Sequence, residues 1–93
     1  MIKSFQNSEA QAIFERKGTR RFPFEIQKTA LRKLAAVHAA SQLEDLRVPP
    51  GNRLEALKGN RRGQHSIRIN QQWRICFRFE NGDAYDVEIV DYH

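Results

Sequence analysis

Asp91, Tyr92 and His93 set a carboxylate, a phenol and an imidazole in three consecutive positions. They follow directly on Tyr85 to Val90, whose alternation of residue types reads as a β-strand, so three proton-handling groups come at the end of a rigid element. The cationic complement lies upstream. Between Arg47 and Arg78 stand Arg47, Arg53, Lys58, Arg61, Arg62, Arg68, Arg74 and Arg78 against the single acid Glu55. From Glu80 onward the sign inverts: Glu80, Asp83, Asp86, Glu88 and Asp91 meet no Lys or Arg. Guanidiniums that hold negative charge, beside groups that exchange protons, are the parts needed for acid-base chemistry on an anion.

With 93 residues the chain fits one domain, 1–93, near the lower size limit for a self-sufficient core, so most apolar residues must be committed to packing. The net charge is +5, from sixteen Lys and Arg against eleven Asp and Glu. Its concentration in one segment points to nucleic acid as the leading ligand class, ahead of an acidic protein. The single Cys76 has no partner for an intramolecular disulfide, which fits a reducing cytoplasm. Met1-Ile2-Lys3-Ser4-Phe5 lacks the apolar stretch of a signal peptide and no long apolar run follows, so a soluble, cytoplasmic protein with no membrane role is expected. CxxC, HExxH and carboxylate-cluster patterns are missing, and the expected mechanism uses neither metal nor cofactor.

The elements that must position these groups follow from periodicity. Ile2 to Phe5 alternates as a short strand. Asn7 or Ser8 caps a helix to about Arg16, stopped by Gly18, and Pro23 opens the first turn of a longer helix carrying Ile26, Ala30, Leu34 and Val37 to about Ala40. Leu43 to Leu46 adds a further turn before the Val48-Pro49-Pro50-Gly51-Asn52 loop. The period then changes to two. Leu54 to Leu57 begins a short strand, His65, Ile67 and Ile69 alternate with polar residues, and Trp73, Ile75, Phe77 and Phe79 alternate with Arg74, Cys76, Arg78 and Glu80. Asn81-Gly82 is a two-residue hairpin turn, after which Tyr85, Val87 and Ile89 form the apolar face of the last strand. The expected fold is α+β, with the helices on one face of an antiparallel sheet and Arg68, Arg74 and Arg78 together on the other.

Arg68 and Arg74 flank the Asn70-Gln71-Gln72 turn, so a hairpin there brings two guanidiniums together. An anion between them would relieve the repulsion; so would Asp86 and Glu88 on the next strand. Lys58, Arg61 and Arg62 lie in a glycine-flanked turn, where cations and backbone N–H groups together can hold phosphate. Cys76 falls in the phase of the arginines, on the wetter face. His38 and His65 fall in apolar phases and are read as packing residues, as are Trp73, Phe77 and Phe79. Asp91 and His93 continue the apolar phase of Val87 and Ile89. The strand is therefore expected to bend, bulge or end near Val90 and turn the tail to the basic face; the competing reading is a frayed end.

Leu57-Lys58-Gly59, Gln64 through Phe79 (QHSIRINQQWRICFRF) and Tyr85 through His93 (YDVEIVDYH) resemble the HigB branch of the RelE superfamily of bacterial toxins. The likeness runs over nearly the whole chain and is densest from Arg53 to His93. It implies a RelE-like toxin domain, with an N-terminal strand and two helices packed on one face of a curved antiparallel sheet. The activity it implies is cleavage of mRNA in the ribosomal A site. The implied partners are a helix-turn-helix antitoxin of the HigA type, the ribosome and mRNA, with operator DNA reached only through the antitoxin complex and the toxin itself monomeric. Lys58, Arg74, Asp91, Tyr92 and His93 match family positions implicated in cleavage or in holding mRNA. A well-studied relative has a histidine three residues before the lysine; here Glu55 stands there, a second candidate base. Arg61, Arg62, Arg68 and Arg78 are expected to meet RNA, and Lys17, Arg20 and Arg21, with Arg16, ribosomal RNA. The alternatives are a non-catalytic RNA-binding module or repressor subunit, and a protein whose basic face serves an acidic antitoxin.

Overall fold

Asn7 starts the first helix by satisfying a donor that the helix itself cannot: its Oδ1 accepts from the Ala10 N–H at 3.1 Å. Its Nδ2 donates to the Ile89 carbonyl at 3.3 Å, so one side chain caps the helix and ties it to the last strand. In the computed structural model, which describes residues 1–91, α1 runs Ser8–Phe14 and α2 runs Phe24–Ala39. The first helix stops sooner than Gly18 would dictate, because Arg16 already takes the left-handed conformation, with φ 64°. Pro23 is the residue before α2 rather than part of its first turn. Four strands follow: β1 (Glu55–Ala56), β2 (His65–Arg68), β3 (Trp73–Glu80) and β4 (Asp83–Asp91), side by side in that order and each antiparallel to the next. Single 3₁₀ turns occupy Leu43–Arg47, Pro50–Asn52 and Gly59–Arg61.

Ile26, Ala30, Leu34 and Val37 recur at helical spacing and form the buried face of α2. With Ala10 and Ile13 of α1 they pack on Ile67, Ile69, Ile75, Phe77, Val87 and Ile89, the inward phase of the sheet. Trp73 and Phe79 are half-buried against this core, and Trp73 meets Phe22 edge-on at 5.0 Å. His38 is likewise a packing residue: its Nδ1 accepts from the Ile2 N–H at 3.1 Å, and its ring lies 5.2 Å from Phe14.

The last strand departs from simple alternation. Pairing between β3 and β4 slips by one residue between Cys76 and Arg78, and Asp86 sits there with φ 54°. This bulge lies in mid-strand, so Ala84, Val87 and Ile89 are buried while Tyr85 is only half-buried. β4 keeps its pairing through Asp91, opposite Trp73, so the expected break does not fall at Val90 itself, and the turn of the tail expected beyond it lies outside the described residues. The N-terminal segment explains how the bulge is tolerated. Ile2 and Phe5 bridge in parallel to Ala84 and Val87, on either side of it, and Ser4 Oγ accepts from the extruded Asp86 N–H at 2.8 Å. At the other end of the strand the Asn81-Gly82 turn has positive φ at both residues, 51° and 83°, as a two-residue hairpin requires.

Phe77→Ala removes a fully buried ring and is expected to cost about 3–5 kcal/mol, whereas the exposed Phe24→Ala should stay within roughly 0.5 kcal/mol. Urea denaturation of both variants checks this; similar losses would contradict the assignment of the core.

Candidate active site

The face of the sheet turned away from the helices is organised by one row of cross-strand partners. Glu55 pairs with Ser66, Ser66 with Cys76 and Cys76 with Glu88, so four side chains from β1 to β4 lie side by side. Arg74 is laid over one end of this row. Its Nε donates to Ser66 Oγ at 2.8 Å and its Nη2 to the Arg53 carbonyl at 2.7 Å, with Glu55 Oε1 at 3.8 Å. Held from several directions, its side chain is only 11 % exposed, which fixes the guanidinium as a preorganised cation.

Arg61 covers the other end. Its Nη1 donates to Glu88 Oε1 at 2.6 Å and to Gln64 Oε1 at 3.1 Å, pinning the Gly59–Arg61 turn across the sheet as a strap. The Leu57 N–H donates to the Gln64 carbonyl at 2.9 Å and closes the strap at its base. A Cβ on Gly63 would stand 3.3 Å from Arg78 Nη1, so the strap also passes close to that side chain. Cys76 is consequently buried, a correction to its expected place on a wet face. Burial pushes its thiol pKa up, against the pull of Arg61 and Arg74, and the neutral thiol is a poor nucleophile.

Lys58 leads into the strap, exposed and with extended backbone, and Arg62 is exposed at its far end. Arg68 lies directly opposite Arg74, as the hairpin reading requires. Arg78 does not join them. It is four residues further along β3, roughly 13 Å at strand rise, and lies 3.5 Å from Asp86. The carboxylates of β4 therefore answer Arg78 and Arg61, and it is Glu55 that lies beside Arg74.

Arg53, Arg68, Arg74, Asn70 and Gln71 enclose an open cleft of about 220 Å³. Arg53 was legible in the sequence only as part of the cationic run and Asn70-Gln71 only as the turn between Arg68 and Arg74; Ser66, missed altogether, shares the phase of Arg68. Arg53 is set by tertiary contacts. It takes a left-handed conformation, φ 47°, just after Asn52, which is buried and donates to the Leu46 carbonyl at 3.1 Å. Asn52 Oδ1 also accepts from Lys33 Nζ on α2, and burial, with Arg32 nearby, pulls the Lys33 ammonium pKa down.

Asp91 keeps the inward phase of β4 but lies beyond the core, exposed, where Gln72 Nε2 donates to its Oδ2 at 3.1 Å. That bond joins it to the β2–β3 turn lining the cleft. Tyr92 and His93, the other two candidates of the tail, lie outside the described residues. Lys17, Arg20 and Arg21 are exposed on the α1–α2 connection, Lys17 beside Glu15 at 3.2 Å. Phe22 of that connection packs on Trp73, so it borders the end of the sheet that carries Asp91. Among the described residues no three His, Cys, Asp or Glu side chains are gathered as a metal site.

Glu88→Gln keeps the shape of the strap's anchor and removes its charge, at an expected cost of about 1–3 kcal/mol. Loosening the strap should also speed alkylation of Cys76 by iodoacetamide under native conditions. An unchanged rate would contradict the role given to the Arg61–Glu88 pair.

Comparison with known proteins bears on the fold and the family. A family model described as the RelE-like toxin of type II toxin-antitoxin system HigB matches residues 3–93. The chain is 40% identical over 85 residues to Toxin HigB-1 of Vibrio cholerae serotype O1, covering 90% of both chains. It is 37% identical over 93 residues to Endoribonuclease HigB of Proteus vulgaris, covering 100% of both. Among solved structures, YafQ from E. coli strain BL21(DE3) superposes with a TM-score of 0.59 at 12% identity, covering 98% of this chain and 91% of that one. In the YoeB-YefM complex from Staphylococcus aureus, the matched chain gives 0.57 at 16% identity, with 100% and 98% covered. These structures share the α+β fold of two helices on an antiparallel sheet. With a match along almost its whole length, the chain belongs to the HigB family of RelE-like toxins of type II toxin-antitoxin systems.

Proposed function

We propose that the protein is a ribosome-dependent endoribonuclease that arrests translation by cutting mRNA in the ribosomal A site without a metal ion. The observation that carries this reading is the immobilised Arg74 beside Glu55, one cross-strand step from Arg68 and at the sheet end that bears Asp91. The Proteus vulgaris relative is named an endoribonuclease, which supports the same reading.

In the proposed reaction the 2′-hydroxyl of the substrate gives its proton to a base and attacks the adjacent phosphorus. The bond from phosphorus to the 5′-oxygen breaks, and that oxygen takes a proton from an acid. The products are a 2′,3′-cyclic phosphate and a free 5′-hydroxyl. Arg74 and Lys58 hold the negative charge of the phosphorane, His93 exchanges protons, and Asp91 orients or assists it. Glu55, beside Arg74, is a second base. Tyr92 positions a nucleotide by stacking. A surface this small reads little sequence by itself, so the ribosome presents the message, while Lys17, Arg20, Arg21 and Arg62 meet ribosomal RNA. The site would act in the cytoplasm as a single toxin domain, restrained by a helix-turn-helix antitoxin of the HigA type that also links it to operator DNA.

Expression alone should arrest growth, and co-expression with the adjacent reading frame should relieve it. Arg74→Ala should lower cleavage of ribosome-bound mRNA by roughly 10²-fold or more, and Asp91→Ala and His93→Gln should abolish growth arrest at matched protein levels. Wild-type protein that protects ribosome-bound mRNA, leaving no 2′,3′-cyclic end, would replace this reading with that of an RNA-binding module.

A further inference from the structure

Arg53 and Arg68 differ from Arg61, Arg74 and Arg78 on this face. Arg74, Arg61 and Arg78 each have a carboxylate within 4 Å, whereas among the described residues Arg53 and Arg68 form no ion pair. Both line the cleft, and Arg68 is held directly opposite another arginine. The Arg53 carbonyl accepts the Arg74 Nη2 donor, so its backbone is committed while its side chain stays exposed. Two guanidiniums from different elements thus face one open space beside a third that is already immobilised.

We propose that the cleft between Arg53 and Arg68 is a second phosphate site, which holds a non-scissile phosphodiester of single-stranded RNA next to the one at Arg74. This rests on the nuclease reading and adds a division of labour to it. Arg74 serves the reacting phosphate; Arg53 and Arg68 bind its neighbour equally in ground state and transition state, and so set affinity more than rate. Asn70 and Gln71 line the same cleft with amide side chains; Asn70 Oδ1 already accepts from the Gln72 and Trp73 N–H groups, which leaves its Nδ2 to donate, while Gln71 can both donate to and accept from a ribose hydroxyl or a base edge. An acidic side chain of a protein partner is the competing occupant.

The test uses full-length protein and ribosomes programmed with mRNA carrying one neutral methylphosphonate linkage, placed in turn on each side of the scissile bond. Arg53→Gln and, independently, Arg68→Gln should raise the half-saturating concentration about tenfold, with the maximal rate within roughly twofold of wild type. The slope of log affinity against log salt should fall by about 0.7. One methylphosphonate position should reproduce the loss in wild type and add nothing in either variant. Additive losses at every position, or a fall in maximal rate at unchanged half-saturation, overturn the second phosphate site while leaving the nuclease reading intact. Additive RNA losses together with weakened binding of the adjacent-frame antitoxin would assign the cleft to a protein carboxylate. Absence of cleavage by wild type would overturn the nuclease reading and this inference with it.

Discussion

A four-stranded sheet with helices on one face has to satisfy its other face without a second core. Here the requirement is met by the row from Glu55 through Ser66 and Cys76 to Glu88, with Arg74 laid across one end and Arg61 across the other. Neutral residues in the middle and carboxylates at the rims let two arginines lie flat on the sheet, each with acceptors close at hand. The strap is a consequence of that arrangement. It covers Cys76 because Arg61 must reach Glu88, and in doing so it carries Lys58 and Arg62 along the cationic face.

The two faces are mechanically connected through the loop ahead of β1. Lys33 on α2 donates to Asn52, Asn52 holds the Leu46 carbonyl, and the left-handed Arg53 that follows offers its carbonyl to Arg74. Packing of α2 on the core therefore decides where the central guanidinium points. A second connection runs through the bulge at Asp86. The extra residue exposes an N–H that Ser4 satisfies, and it restores the phase in which Val87 and Ile89 face the helices. Without it, Glu88 would change faces and Arg61 would lose its anchor.

The geometry explains how this chain builds its cationic face. The cross-strand row shows why a carboxylate fits at Glu55: it lies beside Arg74 and ends the row as Glu88 does on the other side. The three roles seen among the arginines, immobilised, strapped and open, follow from which acceptors each can reach. Charge count along the chain treats all of them alike.

The sequence by itself determined the elements and the sign of the surface, because helical and two-residue periodicities and turn chemistry are local properties. Ile26, Ala30, Leu34 and Val37 could bury only one stripe, Asn81-Gly82 could make only a tight turn, and Arg68 and Arg74 had to share a face across their hairpin. The family likeness of the Gln64 to Phe79 and Tyr85 to His93 segments was legible for the same reason, being carried by runs of consecutive residues. Tertiary structure alone decided the mid-strand bulge, the burial of Cys76 and the entry of Arg53 into the cleft. Each depends on what a distant segment supplies: Ser4 for Asp86, Arg61 for Glu88, Asn52 and Lys33 for Arg53. Periodicity assigns a residue to a face; whether that face is wet, paired or covered depends on contacts between residues far apart in the chain.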